Sequence, residues 1–162
     1  MKAIISDIHS NLEALRAVLN DINRRGVKEI ICLGDVVGYG PNPKECLDII
    51  RKAAAVVLLG NYDEATLFES EARYFNYRAK GAIEWTRNLL EDERDVYKNT
   101  ERWNFLGELP RKYEDKERVL YVHASPRNPV VVCSQGRQRA VLPEVSTERR
   151  FFSGRAVFLS CT

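Results

Sequence analysis

Short, mostly apolar runs alternate with helix-period stretches through the first sixty residues. Lys2-Ala3-Ile4-Ile5, Glu29-Ile30-Ile31-Cys32-Leu33 and Ala55-Val56-Val57-Leu58-Leu59 show no in–out alternation, so they predict strands buried on both faces. Between them, Leu12, Leu15, Leu19 and Ile22 share one helical face, as do Cys46, Leu47 and Ile50. Ser10 with Glu13 three residues on reads as a capping box, and Gly26 closes that helix. Asn42 as N-cap, Pro43 at the first helical position and Glu45 at the third start the next one. Strands alternating with helices predict a mainly parallel sheet, covered on both faces and joined by right-handed crossovers.

Residues 64 to 110 are patterned as helix. Ala79, Ile83, Thr86 and Leu90 form one stripe with Trp85 and Leu89 beside it. Thr100 reads as the cap of a shorter helix that carries Trp103 and Leu106 and ends at Gly107 and Pro110; the tryptophans read as core. Arg118-Val119-Leu120-Tyr121-Val122 predicts a fourth strand. From residue 127 onward there is no Lys and no Asp, and Val130-Val131-Val132 and Ala156-Val157-Phe158-Leu159 are the strand-like runs that remain. We read 1–129 as one domain and 130–162 as a divergent or truncated tail, packed less well than the rest.

With 162 residues, 44% of them hydrophobic and 30% charged, the chain is long enough for one domain with a substantial core. Lys and Arg number 25 against 23 acids, which gives no electrostatic case for a nucleic-acid partner. No apolar run nears the roughly 18–20 residues that span a bilayer, and Asp7 arrives too early for a secretory leader, so a cytoplasmic protein is expected. Cys32, Cys46, Cys133 and Cys161 form no C-x-x-C pair; the first two read as small buried hydrophobes. Neither a G-x-x-x-x-G-K-[ST] loop nor a G-x-G-x-x-G turn is present.

The informative positions are the strand ends. Asp7 and His9 follow the first run, Asp35 the second, Asn61 and Asp63 the third and His123 the fourth. In parallel α/β sheets the ligand crevice lies beyond the carboxyl ends of the strands, so these side chains are expected to converge. Both histidines of the chain stand among them. Carboxylate, imidazole and amide oxygen together suit Mn²⁺, Fe²⁺ or Zn²⁺ better than Ca²⁺.

Asp7-Ile8-His9, Gly34-Asp35, Gly60-Asn61-Tyr62-Asp63 and Val122-His123 resemble, in order, the D-x-H, G-D, G-N-H-[DE] and late-His blocks of calcineurin-like metallophosphoesterases. Gly34-Asp35-Val36-Val37-Gly38-Tyr39-Gly40-Pro41 and His123-Ala124-Ser125-Pro126 look like the small bacterial and archaeal phosphodiesterase branch. The resemblance implies an α/β chain with a four-layer α/β/β/α sandwich, incomplete here because the family's terminal G-H-x-H block has no counterpart after His123. It implies one metal on Asp7, His9 and Asp35 and a second on Asp35, Asn61 and His123, with Asp35 bridging. Two divalent ions would activate a water and clamp phosphoryl oxygens for in-line attack. Manganese is the expected metal, with Fe, Zn, Ni and Mg as alternatives.

Tyr62 stands where the family has its histidine, with Asp63 after it as the acid expected to position residue 62; these two are the catalytic candidates. The expected function is a phosphoesterase acting on a small phosphate ester, most specifically a phosphodiesterase. A relative without turnover, acting as a binding module, is the alternative that stays open. A homo-oligomer is compatible with an incomplete second sheet.

Overall fold

The computed structural model describes residues 1–73, 75–130 and 155–158. Strands β1 (Lys2–Ile5), β2 (Glu29–Cys32) and β3 (Val56–Val57) form a parallel sheet in that order. The register pairs Lys2 with Glu29 and Ile5 with Cys32, then Ile31 with Val56. Helix α1 (Leu12–Arg24) connects β1 to β2, and α2 (Pro43–Ala53) connects β2 to β3. After β3 come α3 (Asn61–Leu67), α4 (Glu69–Ala72), α5 (Tyr77–Leu90) and α6 (Val96–Gly107). A second sheet, in the order β4 (Lys112–Glu114), β5 (Val119–Val122), β6 (Arg155–Phe158), is antiparallel between β4 and β5 and parallel between β5 and β6.

The pleat of β2 sorts the core into two sides. Cys32 and Val57 pack with Leu12 and Leu15 of α1, Leu47 and Ile50 of α2, Leu90 of α5 and Leu106 of α6. Ile31, Leu33 and Leu58 pack instead with Tyr121 of β5, flanked by Tyr113 and Val119. Helices therefore cover one face of the parallel sheet and the second sheet covers the other. Burial on both faces, which an unbroken apolar run predicts, holds for β2; at the edge strand β1 it does not, since Ile4 is 41% exposed and none of Lys2–Ile5 is fully buried. Cys32 and Cys46 are fully buried and free, and burial pushes both thiols up to about 12.

Several expectations are corrected. The fourth apolar run does not join the parallel sheet: it is β5, and it pairs antiparallel with β4, a strand its polar sequence concealed. A tight turn makes that pairing local, with Arg118 at φ +60 and its N–H donated to the Asp115 carbonyl at 3.0 Å. Asn11, not Ser10, caps α1, accepting the Ala14 N–H at 3.0 Å. Thr100 lies inside α6, which begins at Val96, and its hydroxyl turns back to the Val96 carbonyl. Trp103 packs against the core as expected, but Trp85 is 43% exposed. The run Ala156–Phe158 does form a strand, β6. The packing expected of the rest of the tail lies outside the described residues. Among those described, no helix is long and apolar enough to cross a membrane.

One ion pair ties the two sheets together. The Lys2 ammonium on β1 donates to Asp115 Oδ2 at 2.5 Å, while Oδ1 accepts the Glu117 and Val119 N–H groups at 2.9 Å. Lys2 above all, then the Val119 N–H, holds the Asp115 carboxyl down at about 2, against an ordinary 3.8. A carboxyl depressed by folding stabilises the fold fully above its unfolded value and ceases to as pH falls through its folded one. The urea midpoint is therefore expected to drop between about pH 4 and pH 2. Asp115→Asn should be less stable at pH 7 and show a shallower fall across that window in urea titrations at stepped pH.

Candidate metal centre

Beyond the ends of β1 and β2 the two chains stay zipped together. Asp7 N–H donates to the Gly34 carbonyl (3.1 Å), His9 N–H to Asp35 (2.9 Å) and Ser10 N–H to Val36 (2.9 Å). Keeping that contact while the chain turns forces non-glycine residues into left-handed backbone: Asp7 at φ +55, His9 at +46, Ser10 at +57, Asp35 at +53 and Tyr39 at +50. Such conformations are sparsely populated and tend to mark functional sites. Here they sit on three of the expected ligands and beside the others.

The five expected ligands meet. Ligand atoms of Asp7, Asp35 and His123 all lie within 4.8 Å of one another. His9 Nε2 is 3.7 Å from Asp7 Oδ1 and 3.7 Å from Asp35 Oδ2. His123 Nε2 is 3.5 Å from the same Asp35 Oδ2 and 2.8 Å from Asn61 Oδ1. Asp35 is thus the common neighbour of both imidazoles, at 1% exposure. Asn61 is placed as the first residue of α3.

Each histidine is oriented from behind. His123 Nδ1–H donates to the Leu33 carbonyl at 3.0 Å and His9 Nδ1–H to the Val37 carbonyl at 3.2 Å. A carbonyl can only accept, so Nδ1 carries the proton and Nε2 turns its lone pair inward, as metal-binding imidazoles are usually arranged. Burial lowers the pKa of both rings, favouring this neutral form.

The donor set fits a cation. Asp35 Oδ1 accepts the Tyr62 N–H at 2.9 Å, but Oδ2 is buried with no hydrogen-bond partner. Burial, then the charge of Asp63, raises the Asp35 pKa well above its ordinary value. With the amide turned as it stands, Asn61 Oδ1 faces a second lone pair on His123 Nε2. Converging lone pairs from a carboxylate, an amide and two imidazoles are a donor set that suits a cation, and positive charge there would reverse the penalty on Asp35.

The Asp63 carboxylate is bound by backbone N–H groups. Its Oδ1 accepts the Val36 and Val37 N–H groups at 3.0 and 3.1 Å, and its Oδ2 accepts the Gly60 N–H at 3.1 Å. Burial pushes its pKa up to about 6, opposed by those donors. Asp63 is a clamp on the loop carrying Asp35. Tyr62 does border the site. Its ring stands 4.9 Å from His9, edge-on, and its hydroxyl donates to the Tyr39 hydroxyl. Tyr39, within the Gly34 to Pro41 stretch that resembles the phosphodiesterase branch and seated between Gly38 and Gly40, lies 5.1 Å from the His9 ring.

A model of the calcineurin-like phosphoesterase family matches residues 3–152, running past residue 129 where the motif resemblance ended. "Uncharacterized protein MJ0912" of Methanocaldococcus jannaschii is 44% identical over 134 residues, covering 81% of this chain and 52% of that protein. A crystal structure of a metallophosphoesterase from Sphaerobacter thermophilus superposes with a TM-score of 0.64 at 39% identity, covering 80% of this chain and 49% of that one. The chain thus spans about half the length of these relatives.

Proposed function

The chain belongs to the calcineurin-like phosphoesterase family, and on that premise we propose that it is a metal-dependent phosphoesterase acting on small phosphodiesters. The observation that carries the reading is the buried, partnerless Asp35 Oδ2 set 3.7 and 3.5 Å from two inward-facing imidazole nitrogens. Asp7, His9 and Asp35 would hold one divalent ion, and Asp35, Asn61 and His123 the other, within the four-layer sandwich of the family. Imidazole with carboxylate and amide oxygen favours Mn²⁺, with Fe, Zn, Ni or Mg as alternatives. Such a pair supplies Lewis acidity and an activated water for in-line attack at phosphorus.

The chain's own residues do the rest. Asp35 presents one oxygen to both sides, which a neutral ligand could not do with the same charge compensation. Asn61 contributes a neutral oxygen, keeping the site receptive to an anionic ester. The Leu33 and Val37 carbonyls fix both rings, so little reorganisation is needed when an ion enters. The Tyr62 hydroxyl donates to the Tyr39 hydroxyl, so it can give a neutral hydrogen bond to an ester oxygen only by releasing that partner. The ligand in this reading is a small phosphate ester, with no nucleic-acid partner.

Calorimetric titration of the full chain with Mn²⁺, paired with hydrolysis of a chromogenic aryl phosphodiester, tests the proposal. Asp35→Asn is expected to lose more affinity than the roughly 10–100-fold typical of an outer-shell change, and hydrolysis with it. Equal Mn²⁺ affinity in parent and variant would overturn the assignment.

A further inference from the structure

We propose that the outer face of Tyr39 is the seat of an aromatic group carried by the phosphate ester, making Tyr39 a specificity-determining residue; this rests on the metal site proposed above. Tyr39 is 55% exposed, yet three restraints fix it. Its ring stands T-shaped to the His9 ring at 5.1 Å with the planes 77° apart and tilted against Tyr62 at 4.8 Å, and the two tyrosine hydroxyls are hydrogen-bonded. Tyr62 is held in turn by Phe75 at 4.7 Å and by the backbone of Gly38, where a Cβ would come within 2.6 Å of the Tyr62 ring.

The backbone points the same way. Tyr39 sits at φ +50 immediately after Gly38 at φ +100. A bulky residue in left-handed backbone is an outlier, and glycine would occupy the position without strain. What the tyrosine adds is a restrained aromatic ring, packed T-shaped with a candidate metal ligand and still 55% exposed. An ester whose phosphoryl oxygens lie at Asp7, His9 and Asp35 must send its organic group outward past the neighbouring walls. Of the packed rings of His9, Tyr39, Tyr62 and Phe75, Tyr39 is the exposed one. A planar aryl ring or nucleobase stacks on such a face, whereas an alkyl group gains little there.

The test uses inert ligands on the Mn²⁺-loaded full chain, so it reads binding and not turnover. Phenylphosphonate is expected to bind roughly 3- to 10-fold tighter than methylphosphonate, the range an aromatic contact supplies. Tyr39→Phe keeps the ring and should keep that ratio. Tyr39→Asn, chosen because Asn tolerates left-handed backbone, should bring the ratio near one while Mn²⁺ and methylphosphonate affinities hold. Tyr39→Gly serves the same end if the Asn variant does not fold. Adenosine monophosphate against ribose 5-phosphate repeats the comparison for a nucleobase, and a ratio that falls for only one pair identifies which ring the site takes. An unchanged ratio in the ring-less variant overturns the proposal. So does an equal loss in Tyr39→Phe, which would assign the effect to the hydroxyl pair. A fall in Mn²⁺ affinity that accounts for the change would assign Tyr39 to supporting His9. No Mn²⁺ binding by the parent overturns this inference and the metal site together, whereas Mn²⁺ binding with an unchanged ratio overturns this inference alone.

Discussion

Asp63→Asn is expected to lower folding stability and Mn²⁺ affinity together. The carboxylate is fully buried and accepts the N–H groups of Val36, Val37 and Gly60. An amide of the same shape has one oxygen to accept with, so its NH₂ must face at least one backbone N–H. A buried donor left unsatisfied costs roughly 1–3 kcal/mol. The loop so loosened begins at Asp35 and supplies the Val37 carbonyl that orients His9, so the ligands lose their support. Outer-shell losses of this kind lower metal affinity about 10–100-fold. Urea unfolding and Mn²⁺ calorimetry on the same variant read both effects. Were Asp63 instead a group acting on the substrate, the urea midpoint and the metal affinity would stay put and turnover alone would fall.

Why the convergence of the candidate ligands was legible while the backbone contacts of Asp63 were not comes down to distance along the chain. Strands facing a core run apolar, so the point where Ile5, Leu33 and Val122 give way to polar residues marks the strand end directly. Ligands gathered there are read off the one-dimensional pattern. Asp63 follows Tyr62 in sequence, which invited a working pair, but adjacent residues on a helix project in different directions. The Asp63 carboxylate reaches back 26 and 27 residues to the loop after β2 instead. The same long-range pairing defeated the capping box at Ser10, whose N–H goes to the Val36 carbonyl and whose backbone is left-handed, passing the cap to Asn11. β4 escaped notice because Lys112-Tyr113-Glu114 offers no apolar run at all; its order comes from β5 and from Tyr113 stacking on Tyr121 at 5.9 Å.

Gly60→Ala should weaken Mn²⁺ binding by on the order of tenfold or more although it adds a single methyl group. Gly60 has φ −88 and ψ 170, which alanine adopts freely, so the obstacle is space. A Cβ there would collide with the Asp35 carboxylate and with the Asp35 backbone nitrogen. Gly34, at φ +110, meets Gly60 from the other side, where its own Cβ would lie 2.5 Å from the Gly60 nitrogen. Two backbones therefore cross in contact directly beneath the candidate bridging carboxylate, and no flexible side chain can yield. Relief requires Asp35 to move, which breaks its 2.9 Å bond from the Tyr62 N–H and withdraws Oδ2 from both imidazoles. Overpacking of this kind costs roughly 1–3 kcal/mol, so the variant should fold with a lowered midpoint and lose Mn²⁺ affinity by on the order of tenfold or more, as a displaced ligand implies. Gly81→Ala is the matched control. Gly81 lies within α5 with nothing within 4 Å of its would-be Cβ, and alanine there is expected to be neutral or to stabilise by up to about 1 kcal/mol. Parent-like Mn²⁺ affinity in Gly60→Ala would show that Asp35 is not held where a metal needs it.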